Sequence, residues 1–392
     1  MDQKKPQILF ISRWYPNKED SMAGLFVKRH AQAIAYYAQV YVLYVHSIAN
    51  KKKVFKGWDY SHSNGLHELK IYYSGASKKV PANQIINGIL YLFYLTRGFF
   101  WLKTRIGKFQ IVHVNILTRA GILALLLKIF AGLPYLITEH WSRYLPITNT
   151  YKGLLRKSIT RKVVKNAEAI TVVTENLKNA MQRHGLHHKK FYIVPNVVNT
   201  NIFKPSSLNL SSKKFLHVSC FEDKSKNISG LLRATQRLSQ LRHDFKLILV
   251  GDGQDFQQIQ EYSKTLHLEP YVIFTGLIEE EEQLAEYYRQ SCCMVMFSNY
   301  ENMPVVINES LACGKPVIAT RVGGIAEIID SNKGILIEPG DEDSLCEAMN
   351  FMLDHATDYD ARALRDYAVE NFSFSRVGKR FFEIYQEIIP IE

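Results

Sequence analysis

Ser298-Asn299-Tyr300-Glu301-Asn302-Met303-Pro304-Val305-Val306-Ile307-Asn308-Glu309-Ser310-Leu311-Ala312-Cys313-Gly314-Lys315-Pro316-Val317-Ile318-Ala319-Thr320 follows one short apolar run, 293–297, and ends on another, 317–320. Two such runs joined by a helical stretch form a strand–loop–helix–strand unit. Pro304 stands where a first helical residue tolerates proline. Glu309 then falls about one and a half turns inside the helix, pointing back toward its start. The exposed N–H groups of that start create an anion site. The stretch therefore offers a carboxylate in the loop, a carboxylate on the helix and a phosphate site between them.

Outward from this unit, apolar runs alternate with helical segments along the whole chain, the pattern of parallel sheets with crossover helices. Strands are expected at 7–11, 40–45, 69–73, 111–114, 135–138, 169–173 and 191–194, with helices such as 26–37 and 120–131 between them. Residues 196–212 carry Asn, Ser and Pro without sustained period and read as a connection. A second series follows, with strands at 214–218, 246–250, 272–274, 293–297, 317–320 and 334–337 and a closing helix at 373–389. A chain of 392 residues suits two such domains. The expected division is 1–200, 201–372 and a C-terminal helix at 373–392 that packs back on the first domain. Doubly wound sheets bind ligands beyond the carboxyl ends of their strands, so two of them facing each other put the site in the cleft between.

The net charge of +12 is unevenly divided: 1–200 holds 30 Lys and Arg against 8 Asp and Glu, whereas 201–392 holds 19 against 29. The first half is thus suited to an anionic partner, and nucleic acid, a phospholipid surface and a phosphorylated acceptor all qualify. No helix-turn-helix, RNP or zinc pattern accompanies the charge, so nucleic acid is not expected. The five cysteines, Cys220, Cys292, Cys293, Cys313 and Cys346, lack metal or disulfide spacing and read as buried thiols in a reducing compartment. The opening Met1-Asp2-Gln3-Lys4-Lys5-Pro6 carries no secretory pattern, so a cytoplasmic location is expected. The apolar stretches 85–102 and 121–130 are broken by Asn87, Gly88 and Arg97 and by Lys128, and neither is expected to cross a membrane. The aromatic content of the first, followed by Lys103, Arg105 and Lys108, suits a helix lying on a membrane surface or packed in a core.

The run 298–327 resembles the family-4 retaining glycosyltransferases. Glu301 and Glu309 match the family's two glutamates separated by seven residues, and Gly314-Lys315-Pro316-Val317-Ile318-Ala319-Thr320 matches the continuation. Arg321-Val322-Gly323-Gly324-Ile325-Ala326-Glu327 resembles its Gly-Gly turn. The resemblance implies an α/β GT-B fold, two Rossmann-like domains facing a cleft, and transfer of a sugar from a nucleoside-diphosphate sugar to a hydroxyl of a glycan or lipid-linked glycan, with retention and without a metal or other cofactor. It implies that Glu301 contacts the donor sugar, that Glu309 contacts the ribose and that the amides of Val305 and Val306 face the diphosphate, with Asn302 and Met303 beside them.

Other stretches extend the likeness. Leu216-His217-Val218-Ser219-Cys220-Phe221-Glu222-Asp223-Lys224-Ser225-Lys226-Asn227 stands where the family carries an arginine and a lysine against the leaving diphosphate. Lys226 is the choice for the lysine because helical periodicity follows it, and Lys224 is the competitor. The arginine is missing, with Ser219-Cys220 in its place. Gly24 fits the family's glycine at the first helix, while Ala23 replaces a second one. His140, in Thr138-Glu139-His140-Trp141, matches a histidine near the reacting sugar, and His113 ends an earlier strand in the same manner. Asp341-Glu342-Asp343 and Asp358-Tyr359-Asp360 match the letters of a metal-binding Asp-x-Asp, but helix capping explains the first. Competing readings are a nucleotide-sugar epimerase of the same architecture, a non-catalytic scaffold and a basic-surface binding protein.

Overall fold

In a computed structural model of the chain, residues 5–48, 57–76, 83–206 and 212–389 are described. The first residues of the chain and part of the expected 196–212 connection lie outside that set. The chain divides into two compact units. Unit 1 comprises Met1–Val197 together with Phe374–Glu392, and unit 2 is Val198–Ser373.

Unit 1 is built on strands β1 (Gln7–Ser12), β2 (Gln39–Ile48), β3 (Gly57–Ser63), β4 (Leu66–Ser74), β5 (Ile111–Asn115), β6 (Tyr135–Glu139), β7 (Ala169–Val172) and β8 (Phe191–Ile193). They lie in the order β3-β4-β2-β1-β5-β6-β7-β8, parallel throughout except for the β3–β4 pair. Central strands such as β5 are buried along their whole length because helices cover both faces of a parallel sheet. Those helices are α1 (Leu25–Ala35), α2 (Asn83–Ile106), α3 (Thr118–Ala131), α4 (Leu154–Asn166) and α5 (Glu175–Arg183). The edge hairpin of β3 and β4 was not expected. Its turn is Asn64-Gly65, with φ of 47° and 78°, the combination that a two-residue turn between right-twisted strands requires.

Helix α2 is longer than the apolar stretch read from the sequence. It runs 24 residues and, by length and composition alone, with a mean hydropathy of 1.3 over 18 of them, is apolar enough to cross a membrane. Its Tyr91, Leu95, Gly98, Phe99 and Leu102 are buried at three- and four-residue spacing, which marks one face of a helix seated on a sheet. A Cβ on Gly98 would come within 2.5 Å of Leu43 and 2.7 Å of Ile71 on β2 and β4. Only 28% of that window is buried, so the opposite face stands open.

Unit 2 alternates strand and helix: β9 (Lys214–Val218), α6 (Asp223–Lys226), α7 (Ile228–Leu241), β10 (Lys246–Val250), α8 (Phe256–Thr265), β11 (Val272–Gly276), α9 (Glu281–Arg289), β12 (Cys293–Met296), α10 (Val305–Ala312), β13 (Val317–Thr320), β14 (Gly334–Ile337), α11 (Glu342–His355) and α12 (Ala361–Phe372). The strand order is β11-β10-β9-β12-β13-β14, all parallel. Order reverses beside β9, and there the loops after β9 and β12 diverge, the place where a doubly wound sheet presents its ligand site. Helix α7 buries Ile228, Leu231, Leu232, Thr235 and Leu238 on one face. Cys292, Cys293, Cys313 and Cys346 are buried free thiols, but Cys220 is exposed, because it sits in the loop beyond β9 rather than within the sheet.

The last helix, α13 (Phe374–Gln386), belongs to unit 1. Val377, Phe381, Ile384 and Tyr385 join Phe10, Val42 and Ile111 in its core. A Cβ on Gly378 would lie 2.1 Å from the carbonyl oxygen of Ala33, so glycine lets α13 approach the backbone of α1 closely.

Candidate active site

The candidate residues fall into two groups, one in each unit. In unit 2, β12 delivers Ser298–Met303 as a loop and α10 begins at Val305, with Pro304 in extended conformation just before it. Glu301 is nearly buried, and its Oε1 accepts from Lys226 Nζ at 2.5 Å and from Ser298 Oγ at 2.9 Å. Lys226 reaches it from the end of α6. Burial lowers the ammonium's pKa, but the adjacent Glu301 carboxylate, assisted by Cys220 and Glu222, outweighs burial and leaves it raised. Lys226 is therefore a fixed cation. Lys224 takes a different place: its side chain is exposed, and its carbonyl accepts from Asn299 Nδ2 at 3.1 Å.

The Glu301 loop is clamped by the Gly-Gly turn. Gly323 has φ 58°, and a Cβ there would lie 2.0 Å from the carbonyl oxygen of Glu301. The amide of Gly324 donates to the carbonyl of Asn302 at 2.9 Å. Met303 is buried beside it. On α10, Glu309 is buried, and Tyr288 of α9 donates to its Oε2 at 3.1 Å and lies 3.2 Å from the carbonyl of Val306. The amides of Val305 and Val306 belong to the first turn, where no intrahelical acceptor exists. A buried carboxylate, a fixed ammonium and a helix start thus lie along one strand-end loop, an arrangement able to hold a diphosphate flanked by hydroxyl groups.

The position of the missing family arginine is occupied by Ser219, whose Oγ lies 2.8 Å from Nε2 of buried His217. Burial pulls the His217 pKa down to about 4, so this contact is made by a neutral ring. Asp341 accepts from the Ser344 amide at 3.0 Å and Asp360 from the amides of Arg362 and Ala363 at 2.9 and 3.1 Å. Both Asp-x-Asp sequences are therefore helix caps.

In unit 1, Gly24 has φ 64°, and a Cβ there would lie 2.5 Å from the backbone of Trp14. Trp14 packs on Trp141 and Phe26, and His140, just past β6, packs on Phe26 at 4.8 Å and His30 at 5.1 Å. Gly24 and His140 thus share one end of the sheet. Burial, then His30 and His113, push the His140 pKa well down. His113 is fully buried between the Tyr385 hydroxyl and Thr138 Oγ1, at 2.6 Å from each, which makes it a core residue holding α13.

Sequence reasoning missed several members of these groups. Ser298 was read only as part of the run, and Tyr288 lies too far along the chain for spacing to connect it with Glu309. Glu139 is buried and accepts from the amides of Leu117, His140 and Trp141 at 3.1, 2.8 and 2.9 Å. It shapes the turn that presents His140, and its place at a strand end was the available signal.

Comparison with known proteins bears on these groups. Residues 198–370 match the family described as Glycosyl transferases group 1, and residues 61–202 match Glycosyltransferase Family 4. The chain is 28% identical over 238 residues to N-acetyl-alpha-D-glucosaminyl L-malate synthase of Bacillus anthracis, covering 58% of this chain and 61% of that enzyme. The matched stretch therefore spans about three fifths of that relative's length. Among solved structures, sucrose-phosphate synthase from Thermosynechococcus elongatus superposes with a TM-score of 0.78 at 20% identity, covering 98% of this chain and 99% of the other. The Anabaena protein HepE in complex with UDP gives 0.74 at 17%, covering 97% and 100%. Both likenesses concern the fold, two α/β domains with parallel sheets of the GT-B type. With two adjoining family matches running from 61 to 370 and the Glu301–Glu309 run intact, this chain belongs to the group 1, family-4 glycosyltransferases.

Proposed function

We propose that the protein is a retaining glycosyltransferase that moves a sugar from a nucleoside-diphosphate sugar to a hydroxyl of a glycan or lipid-linked glycan, in surface polysaccharide assembly. The observation that carries this reading is the Lys226–Glu301 pair at 2.5 Å, beside the first turn of α10. Departure of a nucleoside diphosphate creates negative charge that fixed cations and oriented N–H groups stabilise without reorganising. Lys226 and the amides of Val305 and Val306 take that role. Glu309, held by Tyr288, receives the ribose hydroxyls, and Glu301, positioned by Lys226 and Ser298, receives the sugar hydroxyls, with Asn302 and Met303 completing the loop. In this reading no divalent metal is required. Neutral His140, set beside Gly24, serves the sugar as a hydrogen-bonding group. The four buried free thiols support a reducing, cytoplasmic setting.

The test is thermal shift and turnover with a panel of nucleoside diphosphates and their sugars, starting with UDP and with EDTA present. A ligand that binds only the folded state raises its melting temperature. The reading predicts a shift with one base, sugar transfer with the anomeric configuration kept, and loss of both shift and transfer in Glu309→Ala. Absence of any shift across the panel, or inverted product, would sink it.

A further inference from the structure

At the end of the unit 1 sheet where α3 begins, three arginines come together without acidic partners. Arg13, just beyond β1, places its guanidinium 5.3 Å from the centre of the Tyr91 ring. Arg119, in the first turn of α3, donates to the carbonyl of Gln84 at 3.3 Å. Arg119 has a lowered pKa, through burial first and then through its neighbours Arg13 and Arg156. Among the described residues no carboxylate forms an ion pair with any of the three. Like charges held together at a partly buried site cost free energy unless an anion joins them.

A buried polar side chain at the same place points to such a ligand. Among the described residues the Tyr91 hydroxyl has no hydrogen-bond partner, although Tyr91 is 1% exposed. An unsatisfied buried hydroxyl needs an explanation. The start of α3 adds its N–H groups, which favour negative charge.

The surroundings indicate where the anion comes from. Helices α2 and α3 meet where a Cβ on Gly88 would lie 3.6 Å from the Arg119 guanidinium, and α3 meets α4 where one on Gly121 would lie 2.7 Å from Val163. On the first two turns of α2 and the first of α4, Ile85, Ile89, Leu154 and Leu155 are 71, 63, 88 and 75% exposed. Helix α4 carries Arg156, Lys157, Arg161, Lys162 and Lys165 and no acidic residue. Apolar side chains among basic ones suit the boundary of an anionic bilayer, whose headgroups attract the charge while the acyl region takes the apolar tips.

We propose that Arg13 and Arg119 bind the phosphate group of a lipid-anchored acceptor, with Ile85, Ile89, Leu154 and Leu155 dipping into the membrane surface that carries it. The inference rests on the glycosyl-transfer reading and names the acceptor class. In that arrangement Tyr91 donates to a phosphate oxygen, and the basic face of α4 meets neighbouring headgroups.

The experiment uses the full chain with UDP in excess, so that the unit 2 phosphate site is filled, and titrates inorganic pyrophosphate by calorimetry. The same samples are mixed with phosphatidylcholine vesicles with and without phosphatidylglycerol. Arg13→Gln and Arg119→Gln should each weaken pyrophosphate binding about tenfold while UDP still binds. Leu154→Ser combined with Leu155→Ser should weaken binding to the anionic vesicles about tenfold and leave pyrophosphate affinity unchanged. Unaltered pyrophosphate affinity in both arginine variants overturns the site. Vesicle binding that ignores the leucine exchanges overturns the lipid source and points to a soluble phosphate. Failure of the unsubstituted chain to bind UDP speaks against glycosyl transfer instead, and the pyrophosphate titration still decides the arginine site.

Discussion

Lys226 Nζ stands 2.5 Å from Glu301 Oε1, in a place where both side chains have little access to water. Two buried charges so close depend on each other, because removing one leaves the other unpaired. Lys226→Met and Glu301→Gln should each lower unfolding free energy by about 3 kcal/mol, and the double variant should lose less than the sum. Urea unfolding of the three variants gives the coupling. Strictly additive losses would show that the pair is not energetically joined.

Tyr288 tests the helix carboxylate. Tyr288→Phe removes the donor to Glu309 and costs about 1 kcal/mol of stability. Its larger effect should fall on donor affinity, since Glu309 loses the contact that fixes its rotamer. A rise in KM for the sugar nucleotide with kcat little changed is the expected result, and steady-state kinetics measures it.

Gly323→Ala addresses the clamp on the Glu301 loop. The added methyl would meet the Glu301 carbonyl at 2.0 Å on a backbone with φ 58°, so the turn must shift and carry the loop with it. Stability should fall by about 2 kcal/mol, and UDP binding should weaken. An alanine variant that keeps wild-type turnover would contradict the clamp.

Protons give a further test. Burial lowers the pKa of His30 and of His217 to about 4, whereas in the unfolded chain a histidine takes its proton near the ordinary value, about 6.5. The unfolded state therefore binds more protons between those two values, and stability must fall as pH drops through that window. It is fully present above the upper value, and the loss stops growing below the lower one. Each histidine contributes a slope of about 1.4 kcal/mol per pH unit, and His113 and His140, also lowered by burial, act in the same direction. Urea midpoints across the window check the sign. A flat profile would mean that these rings are not buried neutral.

Much of the architecture was legible because its signals are local. The apolar runs of β1 and β13 are continuous, and those of β5 and β9 are broken only by the buried His113 and His217, as strands covered on both faces allow. The β3–β4 hairpin escaped because Trp58-Asp59-Tyr60-Ser61-His62-Ser63 is mostly exposed, so no apolar run marks it, although Asn64-Gly65 was a turn signal. Helix α2 extends beyond 85–102 at both ends, since Asn87 and Arg97 interrupt its composition but not its backbone. At the site, Glu301 and Glu309 were readable because one loop and one helix join them. Tyr288 was not, because a hydrogen bond between remote elements leaves no spacing to read, while Ser298 and Glu139 stood inside the runs around Glu301 and His140 with nothing in their residue type to single them out.

The return of α13 to the first unit has a consequence for how the chain matures. Phe381, Ile384 and Tyr385 are synthesised after the whole of unit 2, yet they fill the interior beside Phe10. The part of unit 1 before Val198 must therefore wait, with that apolar surface open, while 198–373 forms an uninterrupted segment able to complete itself earlier. Assembly thus runs against the direction of synthesis, and unit 1 closes after unit 2.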